Sequence, residues 1–228
     1  MNQQEQALFL TLYYLDDDTL LQACQVNNRF YQRVCETIWL NRLRDNLGLS
    51  KEDADRYKGD RTYAEWYMGV LNKVPNTNEG WLNNVFVRAA ADGRTILVKA
   101  ALHRGADVHD GDDQALIFAS QNNHIEVVEI LLVAGADPTT GGSNQALQFA
   151  SENGNAEIVK LLIDAGADPE GGSFSPLIEA SINKQTEVVK LLLAAGIKNP
   201  ETIQGALEEA RYVRAPVELI ALLEQYSQ

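Results

Sequence analysis

Four glycines recur at nearly fixed spacing along the chain. Gly105-Ala106-Asp107, Gly135-Ala136-Asp137 and Gly166-Ala167-Asp168 share a tripeptide, Gly196 continues the series, and the spacings are 30, 31 and 30 residues. A period of this size marks a repeat array, in which each unit is one supersecondary element. Ahead of each glycine runs a short helical pattern: LVKAALHRG, EVVEILLVAG, EIVKLLIDAG and EVVKLLLAAG. In the second, Val127, Val128, Leu131 and Leu132 form one apolar stripe. Each unit has a further helical segment upstream, with alanine at Ala89, Ala119, Ala150, Ala180 and Ala210, where a small side chain lets two antiparallel helices approach closely. The glycine falls where a helix must stop and turn, a place that favours a left-handed backbone. One such helix pair cannot bury both faces, so neighbouring units must stack into a one-dimensional core. Helix–turn–helix units are expected at 84–105, 114–135, 145–166, 175–196 and 205–226.

These units resemble ankyrin repeats. The resemblance covers residues 81–228 and rests on the GAD and EVVKLLL strings, with QALIFAS, QALQFAS and SPLIEAS standing where the family has its TPLH-type segment. The family's period is about 33 residues, and the deficit here lies between GAD and the next helix, at HDGD, TTGG and EGGS. Shortened or absent β-hairpin fingers and very little strand are therefore expected. The closing unit, ETIQGALEEARYVRAPVELIALLEQYSQ, lacks the glycine terminator and looks like a capping repeat, with Glu208, Glu209 and Arg211 facing water. The expected fold class is all-α: a solenoid of four short repeats and a C-terminal cap, after a small three-helix domain.

That N-terminal domain is read from ALFLTLYYL, then Asp16-Asp17-Asp18, then TLLQACQVNNRFYQRVCETIWLNRL. The aspartates can cap the following helix and complement its dipole. Tyr14-Leu15, Cys24, Val26, Arg29-Phe30, Ile38-Trp39 and Leu43 resemble an F-box, the motif that docks a substrate receptor onto the Skp adaptor of cullin–RING ubiquitin ligases. The resemblance spans residues 3–46 and implies that Leu12, Leu15, Leu20, Val26, Phe30 and Trp39 form the apolar pattern, some closing the core and others meeting the adaptor. Gln3-Gln4 stand where the family has Leu-Pro, which implies weaker adaptor binding than its norm. The other reading is a helical cap over the first repeat. An F-box-like start followed by ankyrin repeats resembles proteins of giant DNA viruses and of some intracellular bacteria, which implies action inside a host cell, in its cytoplasm. The domains expected are 1–46, a connector at 47–80 and the repeats at 81–228; in the connector, Tyr63, Trp66, Tyr67 and Val70 share one helix face that fastens the two parts.

Composition narrows the function. The net charge is −13, from 32 acidic and 19 basic residues, with no basic stripe. Such a surface repels phosphate backbones and argues against nucleic-acid binding. It serves solubility, or it matches a basic protein partner. No apolar run is long enough for a membrane span, and the N-terminus lacks the pattern of a signal peptide. Cys24 and Cys35 are read as reduced, buried small hydrophobes.

No catalytic, cofactor or metal constellation is found. His103 and His109 bracket a turn without a ligand set beside them; His124 precedes a second helix and has a structural role. Gly141-Gly142 and Gly171-Gly172 are turns, since no Lys-Ser/Thr follows them. The chain is expected to need no cofactor and to bind a protein. The resemblance puts target contacts on the turn before each first helix and late in that helix: Asp113, Gln121 and Asn122; Asn144, Glu152 and Asn153; Phe174, Ile182 and Asn183. Phe174 and Ile182 are either the binding anchors or packing between neighbouring repeats.

Overall fold

The computed structural model describes residues 20, 24, 29–47, 51, 54–55, 79–140, 144–171 and 175–227. These fall into two compact units, one holding residues up to Leu82 with Lys99–Ala106, the other Asn83–Val98 with Asp107 onward.

In the first unit, α1 runs from Arg29 to Leu47 and buries Val34, Cys35, Ile38 and Trp39 on one helical face. The Arg42 guanidinium lies 5.5 Å from the Trp39 ring centroid, a cation–π contact. Leu20 and Ala54 are also fully buried. The expectation of reduced cysteines is overturned. Cys24 and Cys35 form a disulfide, with Cα atoms 5.8 Å apart. Their apolar surroundings suggested packing alone, whereas the fold brings the pair within bonding reach.

The second unit is built of helix pairs. In chain order α2 (Glu79–Ala91) and α3 (Thr95–His103) come first, with Glu79–Leu82 and Lys99–His103 falling in the first unit; the pairs are α4 (Asp110–Gln121) with α5 (Ile125–Val133), and α6 (Gln145–Glu152) with α7 (Ala156–Asp164). Then come α8 (Pro176–Ile182) with α9 (Thr186–Ala194), and α10 (Pro200–Tyr212) with α11 (Val217–Tyr226). First helices α4, α6, α8 and α10 pack side by side, and so do second helices α5, α7, α9 and α11. Val127, Val128 and Leu131, with their equivalents Ile158, Val159 and Leu162 and then Val188, Val189 and Leu192, are buried between the rows. Each such side chain contributes roughly 1.5–3 kcal/mol on burial. No strand occurs among the described residues, as the short period predicts.

Each part of the GAD tripeptide has a separate function. Gly135 and Gly166 adopt φ of 98° and 102° and end their helices. Ala136 and Ala167 are buried, and their amides donate back to the Leu131 and Leu162 carbonyls, closing a Schellman-type turn. The aspartate carboxylate caps its own loop: Asp107 accepts from the His109 amide, Asp137 from the Thr139 amide, and Asp168 from the Glu170 amide. The Thr139 hydroxyl, and then its amide, hold the Asp137 carboxyl below the usual carboxylate range.

The aspartate's own amide is bound by the preceding unit. Asn83 Oδ1 accepts from the Asp107 amide at 3.0 Å, and Asp113 Oδ1 accepts from the Asp137 amide at the same distance. Asn144 takes the matching position one unit on, donating to the Asp168 carbonyl. In the final step, Glu170 accepts from the Lys198 and Asn199 amides at the start of α10. Those amides hold its carboxyl below the usual range, the Asn199 bond contributing most. Asp113 and Asn144 are both left-handed, at φ of 58° and 52°, a region that Asp and Asn tolerate better than other side chains. Asp113 also meets the Thr140 hydroxyl and, at 3.1 Å, His109 Nδ1.

Replacing Asp113 by alanine orphans the Asp137 amide and puts an ordinary side chain at positive φ. We expect Asp113→Ala to destabilise the fold by about 2 kcal/mol or more. Asp113→Asn keeps an acceptor and should cost less than half as much. Chemical denaturation of the two variants checks the ordering.

Candidate functional site

On each first helix the residues spaced i, i+4 and i+7 form a stripe that the core leaves accessible. Gln114, Phe118 and Gln121 make this stripe on α4; Gln145, Phe149 and Glu152 make it on α6. Glu179 and Ile182 continue it on α8, then Gly205, Glu209 and Tyr212 on α10. Phe118, Phe149, Glu152, Glu179, Ile182 and Glu209 are half-buried, and Tyr212 is 84% exposed. The positions between them, such as Leu116 and Ala119 or Leu147 and Ala150, are buried beneath. Side-by-side packing of α4, α6, α8 and α10 joins the four stripes into one face. Gly205 serves that packing, because a Cβ there would approach Ile178 Cδ1 to 3.3 Å.

The expected target residues divide into four groups. Asp113 and Asn144, expected on the surface, are buried and tied to the next unit, so they are corrected to structural residues. The polar character that suggested partner contact instead satisfies backbone groups between units. The amides of Asn122 and Asn153 are likewise engaged, donating at 3.0 Å to the Ala91 and Gln121 carbonyls of the preceding first helix. Asn183 donates to the Glu179 carbonyl of its own helix. Gln121, Glu152 and Ile182 remain on the accessible stripe. Phe174 lies outside the described residues.

A second polar column runs beside those asparagines. His124 Nε2 lies 3.0 Å from the Ala91 carbonyl, Asn155 Nδ2 donates to the Ser120 carbonyl, and Gln185 Nε2 reaches the Glu152 carbonyl. The structural role expected for His124 is therefore seen. Its ring occupies the space that a Cβ on Gly93 would enter. Of the residues expected to meet an adaptor, Leu20 and Trp39 are fully buried. Leu12, Leu15 and Val26 lie outside the described residues, as does the side chain of Phe30 in α1.

Sequence reasoning missed Phe118, Phe149, Glu179, Glu209 and Tyr212. The available signal was the i, i+4, i+7 spacing counted from the buried alanines. Glu179 is the electrostatically distinctive member: burial, and then the nearby charge of Glu152, push its carboxyl above the ordinary glutamate value. No described group of three His, Cys, Asp or Glu could hold a metal ion. No described helix is long and apolar enough to cross a membrane.

Comparison with known families agrees with this geometry. Residues 113–141 match the description "Ankyrin repeat", and residues 139–202 match "Ankyrin repeats (3 copies)". Residues 113–202 carry ankyrin repeats. The all-helical second unit fits an ankyrin solenoid, and ankyrin repeats are typically non-catalytic modules for protein–protein interaction; no enzyme family is matched. No curated protein matches the chain.

The raised Glu179 carboxyl gives a pH prediction. A carboxyl that binds its proton more tightly in the fold than in the unfolded chain destabilises the fold once ionised. Its cost is absent below the ordinary glutamate pKa and complete above the raised folded value. Glu179→Gln should therefore melt at a higher temperature than the parent at pH 7. The two should converge as pH falls below the ordinary glutamate pKa, which melting curves across pH will show.

Proposed function

We propose that the chain is a substrate receptor: the ankyrin face captures a target protein, and the N-terminal domain delivers it to a Skp–cullin–F-box ubiquitin ligase. The observation that carries the capture half is the uncovered face of the first helices within residues 113–202, in repeats of an interaction type. The ligase half is supported by the F-box resemblance at Cys24, Val26, Arg29-Phe30 and Ile38-Trp39. In this reading residues 1–46 are the docking domain, 47–80 the connector and 81–228 the repeat domain. Catalysis belongs to the partners, and the receptor acts by raising the effective concentration of target lysines. The proposed setting is the cytoplasm of a host cell, as for the viral and bacterial proteins of this architecture.

A second reading is a stand-alone module that sequesters its target, with the N-terminal domain as a structural cap. The full burial of Leu20 and Trp39 favours it, since these side chains close a core and cannot also meet an adaptor without rearrangement.

Calorimetric titration of the full chain with purified Skp adaptor separates the two. The receptor reading predicts measurable but weak binding. It also predicts that restoring the family pair, Gln3→Leu with Gln4→Pro, tightens binding by about tenfold, or roughly 1.4 kcal/mol. If neither parent nor restored variant binds, the receptor reading fails and the sequestering module stands.

A further inference from the structure

The two helical faces of the ankyrin units differ in how their charges are balanced. On two of the second helices, α7 and α9, acids stand beside a lysine, whereas α5 carries Glu126 and Glu129 without a base. Lys190 contacts Glu218 at 2.9 Å and Glu187 at 3.7 Å, and Lys160 follows Glu157 by three residues on α7. The first-helix face is different. From Gln114 to Tyr212 its stripe positions include Glu152, Glu179 and Glu209 and no Lys or Arg. Glu208 is exposed beside them and meets only the uncharged Gln204 amide. Among the described residues, none of Glu152, Glu179 and Glu209 has a basic partner. Burial and the Glu152 charge act on Glu179 without a compensating cation.

These carboxylates are interleaved with apolar groups. Phe149 lies one helical turn from Glu152 on α6, and Ile182 lies one turn from Glu179 on α8. Phe118 precedes this group on α4, and the exposed Tyr212 follows it on α10. An aromatic ring beside uncompensated carboxylates suits a side chain with an aliphatic stem and a cationic head. A hydrophobic ligand would leave the carboxylates desolvated and unpaired, which is unfavourable. An acidic ligand would add repulsion.

We propose that Phe118, Phe149, Glu152, Glu179, Ile182 and Glu209 form a seat for an arginine or lysine of the captured protein, flanked there by apolar residues. This rests on the reading that the first-helix face captures the target, and it adds the chemistry of what is captured. The occupant is a basic, partly apolar segment of a protein. Its cation lies between Glu152 and Glu179, while its neighbours cover Ile182 and the Tyr212 ring.

Selection of a random phage-displayed peptide library against the full chain tests both the chemistry and the place. The expected peptides contain Arg or Lys next to apolar residues. As synthetic peptides they should lose about tenfold or more in affinity on the double variant Glu152→Gln/Glu179→Gln. They should lose little on Glu129→Gln/Glu157→Gln, which removes the same charge from the second-helix face. Melting curves confirm that each variant is folded. Peptides weakened by Ile182→Ala and Tyr212→Ala but lacking basic residues would overturn the inference while leaving capture on this face intact. Peptides indifferent to both sets of variants would overturn the inference and the capture reading together. Recovery of no peptide would overturn the inference.

Discussion

A helix pair as short as Gln145–Glu152 with Ala156–Asp164 ends in loops whose backbone groups have too little surrounding chain to satisfy them. A longer ankyrin period meets that need with a β-hairpin finger, which this chain lacks among its described residues. Its place is taken by a side chain from the preceding unit. Asn83 reaches the Asp107 amide, Asp113 reaches the Asp137 amide, and Asn144 reaches Asp168. These bonds are part-buried, and each contributes on the order of 0.5–1.5 kcal/mol net. Each also has direction, which apolar stacking lacks. The bonds fix how far each unit is rotated on its neighbour, and the side-by-side register of α4, α6, α8 and α10 follows from that.

The same constraint shapes the interaction surface. Polar side chains at the loop end serve the backbone between units, as do Asn122, Asn153, His124, Asn155 and Gln185 at the other end. With both ends committed to structure, the helix stripe between them is the face left for the proposed capture of a target. There the chain carries Phe118, Phe149 and Tyr212 among Glu152, Glu179 and Glu209. A rigid platform presenting aromatic rings beside uncompensated carboxylates loses little side-chain freedom on binding, which favours affinity.

Much of this was legible in the amino-acid sequence, and what was not has identifiable causes. Helix positions followed from the Gly105, Gly135, Gly166 and Gly196 series because a helix terminator is a local property. The absence of strand among the described residues followed from the missing residues of the period. Tertiary partners were not legible. Asp113 and Asn144 look like solvent-facing loop residues until the next unit brings a backbone amide or carbonyl to them. The turns between paired helices hold Asn123, Lys184 and Arg214 at φ of 60°, 60° and 54°, where glycine appears only at Gly93 and Gly154. Lys184 and Arg214 carry no sequence signature for that conformation; the bonds from His124, Gln185 and Ala215 back to Ala119, Ala180 and Ala210 impose it. The Cys24–Cys35 bond escaped for a related reason, since apolar neighbours suit a thiol and a disulfide equally.

Amide hydrogen exchange under native conditions tests the central claim most directly. If side chains of the preceding unit hold the loop amides, Asp107 and Asp137 should exchange as slowly as core amides of α5, such as Leu131, because their release requires two units to separate. Exchange of these two amides at rates typical of open loops, with α5 still protected, would contradict the account.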